Sequence, residues 1–119
     1  MAGVLAAHPQ PLFETSRTGG ATRAESVLAG LRELVKQDAH DNDWVLVHDA
    51  ARCLVTPEQI NALINACQDD AVGGLLAHKL ADTLKAETHG RVSQTVDRSD
   101  KWLAQTPQMF RLGLSLIHI

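Results

Sequence analysis

The chain has 119 residues, the size of one small domain, and 45% of them are hydrophobic, which suffices for a core of ordinary proportions. The formal net charge of -3 argues against binding to nucleic acid or to an anionic membrane through bulk charge, although a few local Arg and Lys residues suffice for a small polyanion. No apolar stretch approaches the roughly 20 residues that span a bilayer. Residues 1–7 lack the basic start of a signal peptide. We therefore predict a cytoplasmic protein with neither a nucleic-acid nor a membrane partner.

The first well-marked element is a helix that begins after a Gly-Gly turn. Residues 1–8 predict a helical turn that prolines end, followed by a short extended piece. Thr22 then has the position of an N-cap, and Glu25 completes a capping box. Free backbone N–H groups at such a helix start can bind an anion or contact a base edge, and Ser26 adds a hydroxyl in the first turn. A plain capped helix after a loop is an equally good interpretation.

The central stretch of the chain is W-V-L-V-H-D-A-A-R, residues 44–52. Its continuous apolar, β-branched run predicts a strand covered on both faces, as in a parallel sheet. Ligands of open α/β sheets bind outside the carboxyl ends of the strands, where Asp49 lies. Asp49 can there bind a hard cation such as Mg²⁺, and Arg52 can hold a phosphate. A polar end to a buried strand, without any site, explains the pattern about as well.

A second helix and strand complete a predicted βαβ unit. Thr56, Pro57 and Gln59 mark a capped helix start with proline at the first helical position. The apolar run over residues 72–77 predicts the next strand. Its Gly73-Gly74 pair is expected to let neighbouring backbone approach closely.

The following segment predicts a β-hairpin. Residues 80–87 and 91–97 are extended and polar, and residues 88–90 form a turn with glycine. Because so polar a hairpin buries little of itself, we expect it to lean on a partner. After it, Pro107 predicts a turn, and Trp102 and Phe110 are expected to anchor the core.

Neither cysteines nor histidines predict a metal site. Cys53 and Cys67 have no metal-binding spacing, so both are expected to be reduced, packed thiols. The six histidines are scattered, and no Ser/His/Asp or Cys/His arrangement follows from the spacing.

Five motifs, taken together and in order, resemble those of the 2-C-methyl-D-erythritol 4-phosphate cytidylyltransferase family. They are G-G-A-T-R-A-E-S-V-L-A-G-L at 19–31, V-L-V-H-D-A-A-R at 45–52, D-T-L-K at 82–85, T-V-D-R at 95–98 and T-P-Q-M-F at 106–110. The resemblance covers about residues 9–112. It implies an α/β, Rossmann-like nucleotidyltransferase fold, incomplete here, with a protruding β-hairpin arm that embraces a second subunit.

The resemblance also implies a reaction and a set of site residues. The reaction is transfer of CMP from CTP to methylerythritol phosphate with release of pyrophosphate, by in-line attack of the acceptor phosphate on the α-phosphorus. Asp49 and Arg52 are the implied catalytic residues. Asp49 would also bind Mg²⁺ and approach the ribose of CTP. The other roles are cytidine binding for Gly20 and Ser26, and acceptor binding for Arg52, Asp82, Thr83, Arg98 and Thr106, with Arg98 reaching the neighbouring subunit of a homodimer.

The chain departs from the family's pattern at several places. Cys53 and Lys79 replace prolines, and Ala21 stands where relatives can have an acid. The family's A-A-G-x-G-x-R loop, its P-K-Q segment and a later substrate lysine have no counterpart. We therefore expect residues 1–113 to be a partial cytidylyltransferase domain, with 79–98 as the dimerisation arm, and residues 114–119 to be a non-native tail. Alone, such a chain is expected to hold CTP weakly and to be inactive.

Two alternatives stay open. A ribitol 5-phosphate cytidylyltransferase would share the fold and the cytidine site, although T-V-D-R favours methylerythritol phosphate. A non-catalytic binding or dimerisation module is the second alternative.

Overall fold

The computed structural model describes residues 14–118, with the side chains of the last two left aside. The helical turn expected over residues 1–8 lies outside this range. In the described range the helices are α1 (Arg23–Lys36), α2 (Pro57–Cys67) and α3 (Leu112–His118), and the strands are β1 (Trp44–Val47), β2 (Gly73–Lys79), β3 (Leu84–Thr88), β4 (Arg91–Val96) and β5 (Trp102–Arg111). The chain divides into two compact units, one up to Ala39 and one from His40 to His118.

The predicted capping boxes begin both α1 and α2. The Thr22 hydroxyl accepts from the Glu25 N–H at 3.2 Å, while the Glu25 carboxylate accepts from the Thr22 N–H at 3.0 Å. Thr56 and Gln59 repeat the arrangement at 3.2 and 3.0 Å, and Pro57 is the first residue of α2. Each box satisfies N–H groups that have no partner within the helix, so both helix starts follow from local sequence.

The three-stranded sheet of the second unit has the order β1-β5-β2. The predicted β1-α2-β2 unit is present, and β1 and β2 run in the same direction because each is antiparallel to β5. The two strands are not hydrogen-bonded to each other as in a purely parallel sheet, since β5 lies between them and both described ladders are antiparallel. Leu46 in the apolar run is 36% exposed, so the run by itself determined neither complete burial nor which strand lies beside β1.

Helix α2 packs on one face of this sheet. Two glycines of β2 allow close approach, Gly74 to α2 and Gly73 to β5. Leu63, Cys67 and Met109 form the buried cluster, with relative exposures of 5%, 5% and 2%. A Cβ on Gly74 would lie 2.8 Å from the Cys67 Sγ, and a Cβ on Gly73 would lie 1.9 Å from the Met109 carbonyl oxygen. The predicted close approach at this Gly-Gly pair is therefore confirmed.

A short acidic turn starts β2. The Asp70 carboxylate accepts from the N–H groups of Val72 at 2.8 Å and Gly73 at 2.9 Å. These two backbone hydrogen bonds favour the charged form and hold the pKa of the Asp70 carboxyl below its ordinary value.

Strand β5 continues through Pro107, so the predicted turn at this residue was wrong. The ladder with β2 breaks there: Leu75 pairs with Gln108 and Ala77 with Ala104, so three residues of β5 lie opposite one residue of β2. Proline has no N–H to donate to a ladder, and an interrupted ladder accommodates it within a central strand. The Thr106–Pro107 peptide bond is cis.

Two expectations about burial were wrong. Trp102 is 60% exposed because it lies at the end of β5, opposite Lys79 at the end of β2, far from the cluster beneath α2. Cys53 is exposed in the loop after β1, where no helix or strand covers it. Cys67, in contrast, is buried as predicted.

Strands β3 and β4 form the predicted hairpin as a separate two-stranded sheet. Thr88 pairs with Arg91, which leaves a two-residue turn of His89 and Gly90 with φ values of 52° and 77°. Positive φ at both turn residues matches the twist of the flanking strands. Within the range that the structure describes, no helix is long and apolar enough to cross a membrane.

We predict that Gly73→Ala destabilises the protein. Gly73 has φ of 129°, and an added Cβ would collide with the Met109 backbone, so β2 would have to move away from β5. Strain of this kind costs about 1–3 kcal/mol or more in the free energy of unfolding. The measurement is urea denaturation monitored by tryptophan fluorescence.

Gly30→Ala is the matched control. Gly30 lies within α1, and an added Cβ would meet no atom within 4 Å. Because alanine favours helices, stability should stay the same or rise by up to about 1 kcal/mol. Equal effects of the two substitutions would contradict the assigned role of Gly73.

Candidate active site

The candidate site begins where β1 ends and meets the interrupted part of β5. The backbone N–H of Asp49 donates to the Thr106 hydroxyl at 3.1 Å. The same hydroxyl lies 3.0 Å from the His48 Nδ1. Thr106 is 6% exposed, while Asp49 is half-buried and His48 is exposed, so these bonds are partly shielded from water. The predicted residues Asp49 and Thr106, 57 positions apart in sequence, are thus brought together.

The interruption of β5 explains why Thr106 can hold Asp49. In the β1–β5 ladder Val47 pairs with Gln108, so a continued ladder would bring Asp49 opposite Thr106. The ladder stops at Val47, and the Thr106 hydroxyl takes the place of a backbone acceptor. Irregular positions of this kind redirect side chains beside functional sites.

Arg52 joins this group through a tight turn. The Arg52 N–H donates to the Asp49 carbonyl at 2.9 Å, and the Arg52 Nε lies 3.8 Å from the Asp49 Oδ2. The guanidinium also donates to the Gln105 side-chain oxygen. The side chains of Arg52 and Asp49 are 44% and 31% exposed, so water weakens their attraction and leaves both charges accessible.

A cavity of about 510 Å³ opens beside these residues. Arg52, Gln105 and Thr106 line it on the side of the site, together with Ala51, Cys53, Leu54, Val55, Gln59, Leu76, Ala77 and His78. Its size is that of a small-molecule pocket, and Arg52 offers a planar, permanently charged group to a phosphate. Asp49 does not line the cavity, and its carboxylate lies 3.8 Å from the Nε of Arg52, which does.

The oxygen ligands available at Asp49 are compatible with a divalent cation that is bound by the protein and by a phosphate ligand together. In the described part of the chain no three His, Cys, Asp or Glu side chains lie together as a metal site. Mg²⁺ in phosphate sites keeps several waters and takes one or two carboxylates. Asp49 would be the carboxylate, and phosphate and water oxygens would supply the other ligands.

The residues predicted for cytidine binding, Gly20 and Ser26, lie together in the first unit. The Gly20 N–H donates to the Ser26 hydroxyl at 2.9 Å, and that hydroxyl lies 3.4 Å from the Gly20 carbonyl oxygen. A Cβ on Gly20 would lie 2.4 Å from the Glu25 Cβ. Gly20 is therefore needed to fold the loop onto the helix start. A local structural role and a ligand-binding role are compatible here.

The remaining predicted residues lie at the base of the hairpin. Asp82 and Thr83 are exposed and precede β3, and the Arg98 guanidinium donates to the neighbouring Ala81 carbonyl. This segment follows the Lys79–Trp102 end of the sheet, and Trp102 is four residues from Thr106 along β5. At 3.3 Å per residue the separation of Trp102 from Thr106 is roughly 13 Å. The segment of Asp82 and Thr83 thus continues from the end of the sheet at Lys79 and Trp102.

Sequence analysis missed two members of the site, His48 as the partner of Thr106 and Gln105 as the partner of Arg52. His48 stands next to Asp49, and Gln105 next to Thr106, so adjacency to a motif residue was the available signal. Both contacts join residues more than 50 positions apart, and nothing in the sequence pairs them.

Solved structures with this arrangement of helices and strands identify the class of protein. A crystal structure of a 4-diphosphocytidyl-2C-methyl-D-erythritol synthase matches with a TM-score of 0.81 and 46% identity, over 95% of this chain and 54% of that one. The cytidylyltransferase of Francisella tularensis matches with a TM-score of 0.70 and 37% identity, over 86% of this chain and 49% of that one. The fold is therefore that of a Rossmann-like nucleotidyltransferase, represented in part.

The sequence comparisons narrow the class to a family. The pattern of IspD, 2-C-methyl-D-erythritol 4-phosphate cytidylyltransferase, matches residues 15–118, and the chain belongs to that family. A bifunctional enzyme IspD/IspF of Albidiferax ferrireducens is 64% identical over 101 residues. A 2-C-methyl-D-erythritol 4-phosphate cytidylyltransferase of Laribacter hongkongensis is 60% identical over 103 residues.

These matches cover most of this chain and a smaller part of each relative. They span 85% and 86% of the chain, but 24% of the Albidiferax and 44% of the Laribacter protein. The chain thus spans less than half the length of both curated relatives. The family match extends to residue 118, and the non-native origin of residues 114–119 stays a prediction.

We predict that Thr106→Val destabilises the protein by about 1–3 kcal/mol. Valine has the shape of threonine but no hydroxyl, so the Asp49 N–H loses its acceptor at a half-buried position. Thr106→Ser, which keeps a hydroxyl, is the control and should cost less. The free energies of unfolding from urea titrations give the comparison. A valine variant as stable as the unaltered protein, or less damaged than the serine variant, would contradict the role of the hydroxyl.

Proposed function

We propose that this chain forms the acceptor side of a cytidylyltransferase that transfers CMP from CTP to 2-C-methyl-D-erythritol 4-phosphate and releases pyrophosphate. The observation that carries the proposal is the group of Asp49, Arg52 and Thr106 beside the cavity. Family membership, shown by the match over residues 15–118, supports the same reaction.

In the proposed reaction the acceptor phosphate is already an anion, so no general base is required. Catalysis then depends on holding two negatively charged reactants in line and on stabilising the charge of the transition state. Arg52 would hold the acceptor phosphate at the cavity, because its planar group offers parallel N–H donors to phosphate oxygens. The Thr106 hydroxyl would hold the Asp49 backbone in place beside Arg52.

Asp49 would be the protein ligand of a magnesium ion. When bound, such an ion neutralises phosphate charge and orients the leaving group. Asp49 would contribute its carboxylate, and its side chain is 31% exposed. The backbone of Asp49 is held on both sides, because its N–H donates to the Thr106 hydroxyl and its carbonyl oxygen accepts from the Arg52 N–H. Gly20, in the loop before α1, and Ser26, in its first turn, would contact the cytidine.

The hairpin of β3 and β4 would join two chains into a homodimer. Its strands have exposed side chains on both faces, including Val92 at 69% exposure, so by itself the hairpin buries little. In the dimer Arg98 would reach the partner's acceptor pocket, while Asp82 and Thr83, which are exposed before β3, would line an acceptor pocket with Arg52 and Thr106. We propose a cytoplasmic location for this enzyme.

Two other functions remain as alternatives. Ribitol 5-phosphate would occupy the same cavity, since it presents the same phosphate to Arg52. A binding or dimerisation module without catalysis would use the hairpin alone. Initial rates with each acceptor, measured by pyrophosphate release in an enzyme of the relatives' length that carries these residues, separate the three. Turnover only with ribitol 5-phosphate, or none at all, would overturn the proposal.

Asp49→Asn is predicted to lower kcat in that enzyme by about 100-fold or more, because a charged metal ligand is worth several kcal/mol in the transition state. Stability should change little, since the Asp49 N–H to Thr106 bond remains. Asp69→Asn, at an exposed acid after α2, is the control and should leave kcat unchanged. Rates are compared across a magnesium titration. Unaltered magnesium-dependent turnover in Asp49→Asn would remove Asp49 from the catalytic group.

Arg52→Lys is predicted to raise the KM for the acceptor about tenfold and to leave the KM for CTP within about twofold. Lysine keeps the charge but replaces a planar fork by a point charge, and it cannot repeat both the Gln105 and the Asp49 contact. The two KM values come from separate substrate titrations. A change confined to CTP would mean that Arg52 contacts the nucleotide.

A further inference from the structure

Arg52 is the cation of the candidate site, yet little in its own segment fixes its side chain. It lies in the loop between β1 and α2, and its side chain is 44% exposed. Its Nε is 3.8 Å from the Asp49 Oδ2, which is longer than a hydrogen bond. An attraction at that distance and exposure does not set the orientation of a guanidinium.

Gln105 makes the contact that can set this orientation. Its side-chain oxygen accepts from an Arg52 terminal nitrogen. Gln105 is half-buried, and its backbone belongs to β5, which β1 and β2 flank on either side. The residue lies in the interrupted stretch opposite Leu76, next to Thr106. A strand at the centre of the sheet thus holds a loop arginine at the cavity wall.

The chemical type of Gln105 matters as much as its position. An amide oxygen accepts a hydrogen bond and carries no charge, so it orients the guanidinium and leaves its positive charge for a ligand. A carboxylate at the same position would form a charge-assisted pair, occupy the fork and repel a phosphate. An apolar residue would leave the arginine unoriented, at the full cost of ordering it on binding.

We propose that Gln105 is a positioning residue that orients the Arg52 guanidinium toward the acceptor phosphate without neutralising it. The proposal rests on the proposed function of Arg52 as the group that binds the acceptor. In this proposal Gln105, which lines the cavity beside Arg52, acts through its hydrogen bond to the guanidinium.

The first test uses the enzyme of the relatives' length that carries these residues. Gln105→Glu should raise the acceptor KM about tenfold, and Gln105→Met about three- to tenfold, with the KM for CTP unchanged in both. Gln68→Met, the same substitution at an exposed glutamine after α2, is the control and should change neither constant. Equal acceptor KM values for Gln105→Glu and the unaltered enzyme would overturn the proposal.

A double-mutant cycle separates positioning from a general structural effect. In an Arg52→Lys background, Gln105→Met should raise the acceptor KM by less than about twofold, because the contact it removes is already absent. A purely structural role would give the same factor in both backgrounds, and that result would contradict the proposal. Urea denaturation of each variant reports any loss of folding separately.

A second readout does not depend on turnover. NMR relaxation of the Arg52 Nε–Hε group should show greater mobility in Gln105→Met than in the unaltered protein and no increase in Gln105→Glu. Titration with inorganic phosphate should shift the same signal in the unaltered protein but weakly in Gln105→Glu. An enzyme inactive with every acceptor but with this NMR pattern would refute the proposed function and retain the role of Gln105. Unchanged Arg52 mobility in Gln105→Met would refute the positioning role itself.

Discussion

The sheet of the second unit depends on β5, the strand to which both neighbours are hydrogen-bonded. β1 and β2 have no described ladder with each other, so each is held in place by its pairing with β5. The backbones of β2 and β5 approach each other so closely that a Cβ added at Gly73 would lie 1.9 Å from the Met109 carbonyl oxygen. The same Met109 side chain is 2% exposed and packs beneath α2 with Leu63 and Cys67. Backbone pairing and the core therefore share one strand.

The candidate site arises where this strand departs from regular pairing. Pro107 has no N–H for a ladder, and the residues just before it lie opposite a single residue of β2. Thr106 uses its hydroxyl to hold the Asp49 backbone, and Gln105 uses its amide to hold Arg52. A regular ladder would have used backbone groups for the first of these contacts. The interruption of the ladder thus lets side chains of β5 hold the residues of a polar site.

In the candidate site a loop supplies the charged groups and a strand supplies the neutral groups that orient them. The D-A-A-R segment supplies charge of both signs in a tight turn, with Asp49 and Arg52 partly exposed. Neutral groups on β5, a hydroxyl and an amide, supply orientation. Neutral partners leave the charges available to a ligand, whereas charged partners would compensate them internally. The proposed transfer of CMP would require this availability, because its reactants are anions.

Local sequence determined the features that depend on neighbours within a few positions, namely the two capping boxes and the glycine turn of the hairpin. The Gly73-Gly74 pair indicated a close approach, but which backbone approaches Gly73, that of Met109, was not readable from the sequence. Five motifs in order were enough to indicate the family. Tertiary structure alone decided the strand order, the passage of β5 through Pro107, the exposure of Trp102 and Cys53, and the partners His48 and Gln105. These features depend on which distant segments pair, and hydrophobic pattern and turn residues do not encode that choice.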